Sequence, residues 1–257
     1  MNARAWLEIS RGSNLPTVWS NVLHGLAAGV FVTTHTRFGD LARAEMPREP
    51  FWFFNQGFML LVGISLVYLA GMMLNDAFDA RQDATERPDR PIPSGRISRR
   101  SAWAAGFATL GLGVAASLVF REPAVPITVG VLAFCIVAYN ATHRVAWLGV
   151  PLMAACRGLA VVAAAAAFAP PQRGAWVWAV GLPALAIAVY TAIVALIARG
   201  EAEEDARVRP AHVGLLLAAM PALDAVLLAR LGQWPLAGTC LALAGLTVFL
   251  QRLVRGS

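Results

Sequence analysis

An all-α, polytopic membrane bundle of about eight transmembrane helices is the fold class this sequence predicts, on three observations. Apolar residues fill 58% of the 257 positions and charged residues only 14%, against about 25% charged in a soluble domain. The apolar residues gather into eight runs, each near the roughly 20 residues that cross a bilayer. All 21 basic residues are arginine, and they concentrate in alternate connections between those runs.

The spans fall at about 15–34, 57–75, 102–120, 124–141, 146–169, 175–198, 211–230 and 232–253. The first follows Arg4 and Arg11, yet it contains Asn21 and His24 and lacks a small-residue cleavage site, so it reads as a span and not as a removed signal peptide. The second ends directly at the polar run NDAFDARQD, residues 75–83. In the fifth, VVAAAAAFA at 161–169 offers small side chains that let helices approach closely. Cys135, Cys156 and Cys240 are odd in number and lie inside apolar runs, as buried thiols do. The longest polar stretches, 35–50 and 76–101, are too short for a soluble insertion, so residues 1–257 form one integral-membrane domain.

Charge sets the expected topology. The N-terminus, the connections after spans two, four and six, and the C-terminus hold 14 of the arginines; the opposite side holds six, and Arg157 lies inside span five. By the positive-inside rule both termini and the acidic run face the cytoplasm, in the cytoplasmic membrane of a prokaryote. The net charge of +6 is therefore a topology signal, and no nucleic-acid partner is expected.

On a helix, Asp76, Asp79 and Asp83 stand at i, i+3 and i+7, within about 60° of one another. Three carboxylates so placed repel one another unless cations neutralise them, and their hard oxygens suit Mg²⁺ shared with substrate phosphates. The chain continues ATERPDRPIPSGRISRR, in which Pro88, Pro91 and Pro93 end regular helix and stiffen a basic loop. Arg87, Arg90 and Arg96 are placed to contact phosphate oxygens by their guanidinium forks, or else to anchor the loop at lipid headgroups. After span six, Glu201, Glu204 and Asp205 make a second acidic face at i, i+3 and i+4, which reads either as a second Mg²⁺ site or as a solvated loop.

NDxxDxxxD at 75–83 followed by RPDRPIPSGRIS at 87–98 resembles the first aspartate motif and basic loop of the UbiA superfamily of intramembrane prenyltransferases. Further along, YNATHR at 139–144 is similar to that family's tyrosine and basic motif after span four, and RGSNLPTVWSN at 11–21 to the entry of its first helix. The resemblance implies an all-helical bundle, commonly of nine spans, whose cavity opens laterally to lipid. It also implies Mg²⁺ on Asp76, Asp79, Asp83, Glu201, Glu204 and Asp205, and roles for Asn75, Tyr139 and Arg144 at the reacting diphosphate. Arg199, just before the second acidic face, joins the candidate substrate contacts. Two departures stand out: the family's second motif is usually DxxxD where this chain has Glu201 and Asp205, and eight spans are legible where nine are common.

The activity implied is Mg²⁺-dependent transfer of a prenyl chain from an isoprenoid diphosphate to an aromatic or other lipophilic acceptor inside the bilayer. Tyr139 and Tyr190 then present π-faces to a carbon that develops positive charge, unless they serve as packing or interfacial anchors. Inside the spans, Arg157 and Asp224 either pair with each other or line the substrate chamber, and Asn21 with His24 lines it or bonds between helices. The alternative is a catalytically silent relative that binds or transports a prenylated lipid. An ion-coupled transporter would need charges near mid-membrane in several spans. Soluble prenyl synthases lack eight apolar spans, and CDP-alcohol transferases carry a DGxxAR run followed by GxxxDxxxD, which this sequence does not contain.

Overall fold

A computed structural model describes residues 3–36, 50–169, 174–200 and 210–255. Its helices are α1 (Ala3–Ser10), α2 (Leu15–Thr36), α3 (Pro50–Glu86), α4 (Arg99–Ser117), α5 (Ala124–Thr142), α6 (Ala146–Ala166), α7 (Leu182–Gly200), α8 (Pro210–Arg230) and α9 (Trp234–Arg255). Among the described residues seven helical stretches are long and apolar enough to cross a membrane, and the 19-residue α4 is a further long helix, in line with the eight spans expected. One span has bounds well outside those expected. The second belongs to a single helix of 37 residues, about 55 Å long, which outruns the roughly 30 Å hydrocarbon layer and carries the acidic motif on its last turns.

Local chemistry explains the boundaries. α3 stops at Glu86 because Pro88, Pro91 and Pro93 follow. α4 restarts at a capped end, where the Ser98 hydroxyl accepts a hydrogen bond from the Ser101 amide at 3.0 Å. Between them the loop folds on itself, with the Ile97 amide bonded to the Pro91 carbonyl at 3.0 Å and Gly95 supplying a positive φ of 75°.

Short connections make neighbours of α3 with α4, α5 with α6, and α8 with α9, and α2 packs against α3, α6, α8 and α9. The α2–α6 seam is the tightest. Gly25 and Gly29, one turn apart, lie so close to the Val161 and Ala165 carbonyls that a Cβ at either position would overlap them. Ala163, Ala164 and Ala165 on the facing helix are fully buried, so the alanine run predicted to permit close approach does so. Apolar side chains on the outside, among them Phe134, Trp147 and Trp178 with exposures of 70%, 75% and 73%, give the bundle a lipid-facing surface. Helix α1 buries Ala5 and Ile9 against Met73, Ala77, Ile97 and Ala102, which fastens the N-terminus beside the basic loop.

Candidate active site

The site assembles where α3 ends. Asp76 and Asp83 are nearly buried, and one guanidinium serves both: Arg90 Nη1 lies 2.8 Å from Asp83 Oδ2 and 3.8 Å from Asp76 Oδ1. Arg90 reaches them because the proline-rich loop turns it back over the helix that precedes it, with the Arg90 amide itself bonded to the Arg87 carbonyl. A second guanidinium arrives from the N-terminus, with Arg11 Nη2 at 2.9 Å from Asp76 Oδ1. Arg11 adopts a left-handed backbone, φ 45° and ψ 43°, to turn the chain from α1 into α2. A non-glycine residue held there carries strain of order 1 kcal/mol, typical of functional positions.

Asp79 faces another way. Its Oδ1 lies 3.4 Å from His143 Nε2 and 3.5 Å from Arg144 Nη2, both at the end of α5. The three aspartates that sequence spacing places on one helix face are thus split by intervening cations: Asp76 and Asp83 on Arg90, Asp79 on the α5 terminus. Among the described residues no three His, Cys, Asp or Glu side chains gather closely enough to hold a metal ion between them. The spacing that puts the three aspartates on one face thus leaves their carboxylates with different partners. Asn75 reaches α5 by a 3.3 Å bond from its Nδ2 to Asn140 Oδ1, and Asn140 Nδ2 in turn donates to the Gly71 carbonyl at 3.0 Å.

These groups surround a cavity of about 470 Å³. Five arginines line it, Arg11, Arg87, Arg90, Arg144 and Arg199, against the carboxylates of Asp79, Asp83 and Glu86, with Asn75, Tyr139 and His143 alongside. Arg199 is pinned at the wall by a hydrogen bond to the His143 carbonyl. Behind lies a smaller cavity of about 100 Å³, almost entirely apolar, between α2, α3, α5 and α6. Tyr139 and Met153 line both cavities.

Several expected residues lie elsewhere. Arg96 turns away from the cavity, to Glu8 at 2.8 Å and to the Asp89 carbonyl at 2.6 Å, which locks the loop to α1. Tyr190 donates its hydroxyl to the Leu216 carbonyl of α8 at 2.6 Å and lines neither cavity. Asn21 is fully buried between Arg157 and Asp224, which therefore communicate through it and not by direct contact. Glu201, Glu204 and Asp205 lie outside the described residues. Conversely, the geometry brings in Arg11, His143 and Glu86, which were not singled out as site residues. In the sequence His143 is the fifth letter of YNATHR, and Arg11 is a charge before the first span and the first letter of RGSNLPTVWSN.

The donor set fits Mg²⁺. Asp79 and Asp83 present carboxylate oxygens to the cavity with Gln82 and Glu86 beside them, and Mg²⁺ is commonly held by one or two carboxylates together with substrate phosphates.

The UbiA prenyltransferase family model matches residues 41–257. A digeranylgeranylglyceryl phosphate synthase from Methanoregula boonei is 38% identical over 123 residues, which cover 48% of this chain and 37% of that protein. The chain thus aligns with little more than a third of that relative's length. In fold it is similar to a UbiA homologue from Archaeoglobus fulgidus bound to GPP and Mg²⁺, with TM-score 0.58 and 16% identity over 96% of this chain and 86% of the other. It is also similar to an apo UbiA homologue from Aeropyrum pernix, with TM-score 0.56 and 15% identity over 92% and 97%.

Proposed function

This chain belongs to the UbiA prenyltransferase family, and from that premise we propose that it transfers a prenyl group from an isoprenoid diphosphate to a lipophilic acceptor within the membrane. One observation carries the reading: a cavity lined by five arginines and three carboxylates shares Tyr139 and Met153 with an apolar cavity inside the bundle. The first suits a diphosphate, and the junction at Tyr139 and Met153 suits the carbon attached to it.

In this reading Arg87, Arg90, Arg144 and Arg199 bind diphosphate oxygens by charge-assisted hydrogen bonds. Arg11 holds Asp76 and turns toward the same oxygens. Asp79 and Asp83, with Asp76 behind them, would hold Mg²⁺, which when bound offsets the negative charge of the diphosphate and makes it a better leaving group. The arginines stabilise charge that grows on the leaving oxygen as the C1–O bond breaks and its electron pair passes to the diphosphate. Tyr139, at the junction of the two cavities, offers its ring face to the allylic carbon as positive charge develops. The nucleophilic oxygen or carbon of the acceptor then bonds to C1, and its proton passes to the departing diphosphate. Apolar walls keep water from intercepting the carbon. The apolar cavity, about 100 Å³, is too small for an isoprenoid chain, so each chain lies along the helices toward lipid.

The relatives' name supports an acceptor of the glyceryl phosphate type. Arginine placement supports a cytoplasmic site with both termini on the same side. The replacement of DxxxD by Glu201 and Asp205 keeps one rival in play, a silent lipid carrier. Purified protein in liposomes, given radiolabelled geranylgeranyl diphosphate, Mg²⁺ and an extract of host lipids, is expected to yield a labelled lipid. Binding of the diphosphate without any labelled product selects the carrier instead.

A further inference from the structure

The prenyl-transfer reading leaves Arg157 without work. Arg157 sits within the candidate span Ala146–Ala166 and lines the apolar cavity, apart from the arginines around the diphosphate. Its Nη2 donates to Thr17 Oγ1 at 3.0 Å and its Nη1 to Asn21 Oδ1 at 3.3 Å, while its carbon centre lies 5.9 Å from the centroid of the Tyr68 ring. Asn21 Nδ2 donates to Asp224 Oδ2 at 2.8 Å, and His24 Nδ1 is 2.9 Å from the other carboxylate oxygen. Thr17, Asn21, His24 and Asp224 are all fully buried, whereas Arg157 is half-buried because one side meets the cavity.

A guanidinium cannot shed its charge, and an apolar span tolerates it only with compensation. A direct ion pair would place Arg157 on Asp224, commonly in a two-pronged contact. Here Asn21 is interposed. Only one orientation of its amide satisfies both neighbours, with the oxygen toward the guanidinium and the nitrogen toward the carboxylate. The arrangement supplies a counter-charge at one remove and leaves the other Arg157 N–H groups without a hydrogen bond to the described residues, on a side chain that lines the cavity. Among the described residues the cavity's lining contains one cation, Arg157, and no carboxylate, so Arg157 offers an anion there its charge partner.

Resting on the prenyl-transfer reading, we propose that Arg157 anchors an anionic oxygen group of the acceptor, a phosphate or a carboxylate. Asp224 and Asn21 are positioning residues that hold the guanidinium in place. The anchor sets the acceptor's head beside Tyr139 and Met153, where the diphosphate cavity and the apolar cavity share their lining, and so aims its nucleophile at C1. A cavity of about 100 Å³ admits a head group and excludes a long chain, which fixes the direction in which the acceptor enters.

The test uses the full chain in liposomes with labelled geranylgeranyl diphosphate and Mg²⁺. Matched acceptors differ only in charge: geranylgeranylglyceryl phosphate against geranylgeranylglycerol, and 4-hydroxybenzoate against phenol. The wild type is expected to favour the charged member of one pair, and that pair identifies the anion as phosphate or carboxylate. In Arg157→Gln the ratio of kcat/KM for charged over uncharged acceptor falls about tenfold or more, through the acceptor KM, with the KM for geranylgeranyl diphosphate moving less. Asp224→Asn shifts the same ratio in the same direction by a smaller factor. Should Arg157→Gln not fold, Arg157→Lys carries the test: it keeps the charge but loses the fork, and the acceptor KM rises. Turnover of both members of each pair at equal efficiency, unaltered by Arg157→Gln or Arg157→Lys, overturns the anchor while prenyl transfer stands. No turnover of any acceptor by the wild type overturns both.

Discussion

Arg90 and Asp83 meet at 2.8 Å across seven positions of sequence, so the end of one helix and the loop after it form one electrostatic unit. The same Arg90 nitrogen lies 3.8 Å from Asp76. Removing this cation therefore leaves two nearly buried carboxylates less compensated and, in the proposed reaction, takes a phosphate contact from the cavity. Arg90→Ala is expected to lower kcat/KM for the isoprenoid diphosphate by about 10² or more, read from initial rates of prenylated lipid. Arg90→Lys recovers only part, because an ammonium cannot bridge two acceptors as a planar fork does.

Arg11 sustains a strained backbone to reach Asp76. Arg11→Gly relieves the strain yet removes the guanidinium, whereas Arg11→Ala removes the guanidinium and retains the strain. If the contact serves catalysis, both variants lose roughly tenfold to a hundredfold in kcat/KM. Thermal unfolding in detergent should show the glycine variant at least as stable as the alanine one.

Arg96 makes a prediction of the opposite kind. Its partner Glu8 is exposed and the pair lies outside both cavities. Glu8→Ala is expected to change stability by no more than about 1 kcal/mol and to leave the KM for the diphosphate within twofold. A large loss of turnover would show that α1 shapes the site through this pair.

The α2–α6 seam admits no side chain at Gly25 or Gly29. Gly29→Val should force the helices apart at a cost of about 1–3 kcal/mol or more, seen as a lower melting temperature in detergent. Because α2 also carries Thr17 and Asn21, the acceptor KM should rise together with that loss.

Parts of this architecture were legible in the residues themselves. The apolar runs located the long helices, Pro88 marked the end of α3, and helical spacing put the three aspartates at the correct end of it. Local spacing does not report which cation fills the gap between carboxylates. Arg11 lies 65 positions from Asp76, and their meeting depends on the left-handed turn at Arg11 and on how α1 docks. Asn21 and Asp224 are separated by 203 positions and join only because α2 packs against α8. Long-range pairs of that kind are set by tertiary packing, which also explains why Arg96, alike in composition to Arg87 and Arg90, ends on Glu8.

The central claim is that the carboxylate and arginine cavity at the end of α3 grips a diphosphate and drives its departure. Pyrophosphate release measured in liposomes, with geranylgeranyl diphosphate, an acceptor lipid and either Mg²⁺ or excess chelator, tests it most directly. The account predicts release in step with prenylated lipid by the wild type, abolished by chelator and reduced at least about 10³-fold in Asp79→Asn and Asp83→Asn. Release that persists undiminished in both variants, or in chelator, contradicts it.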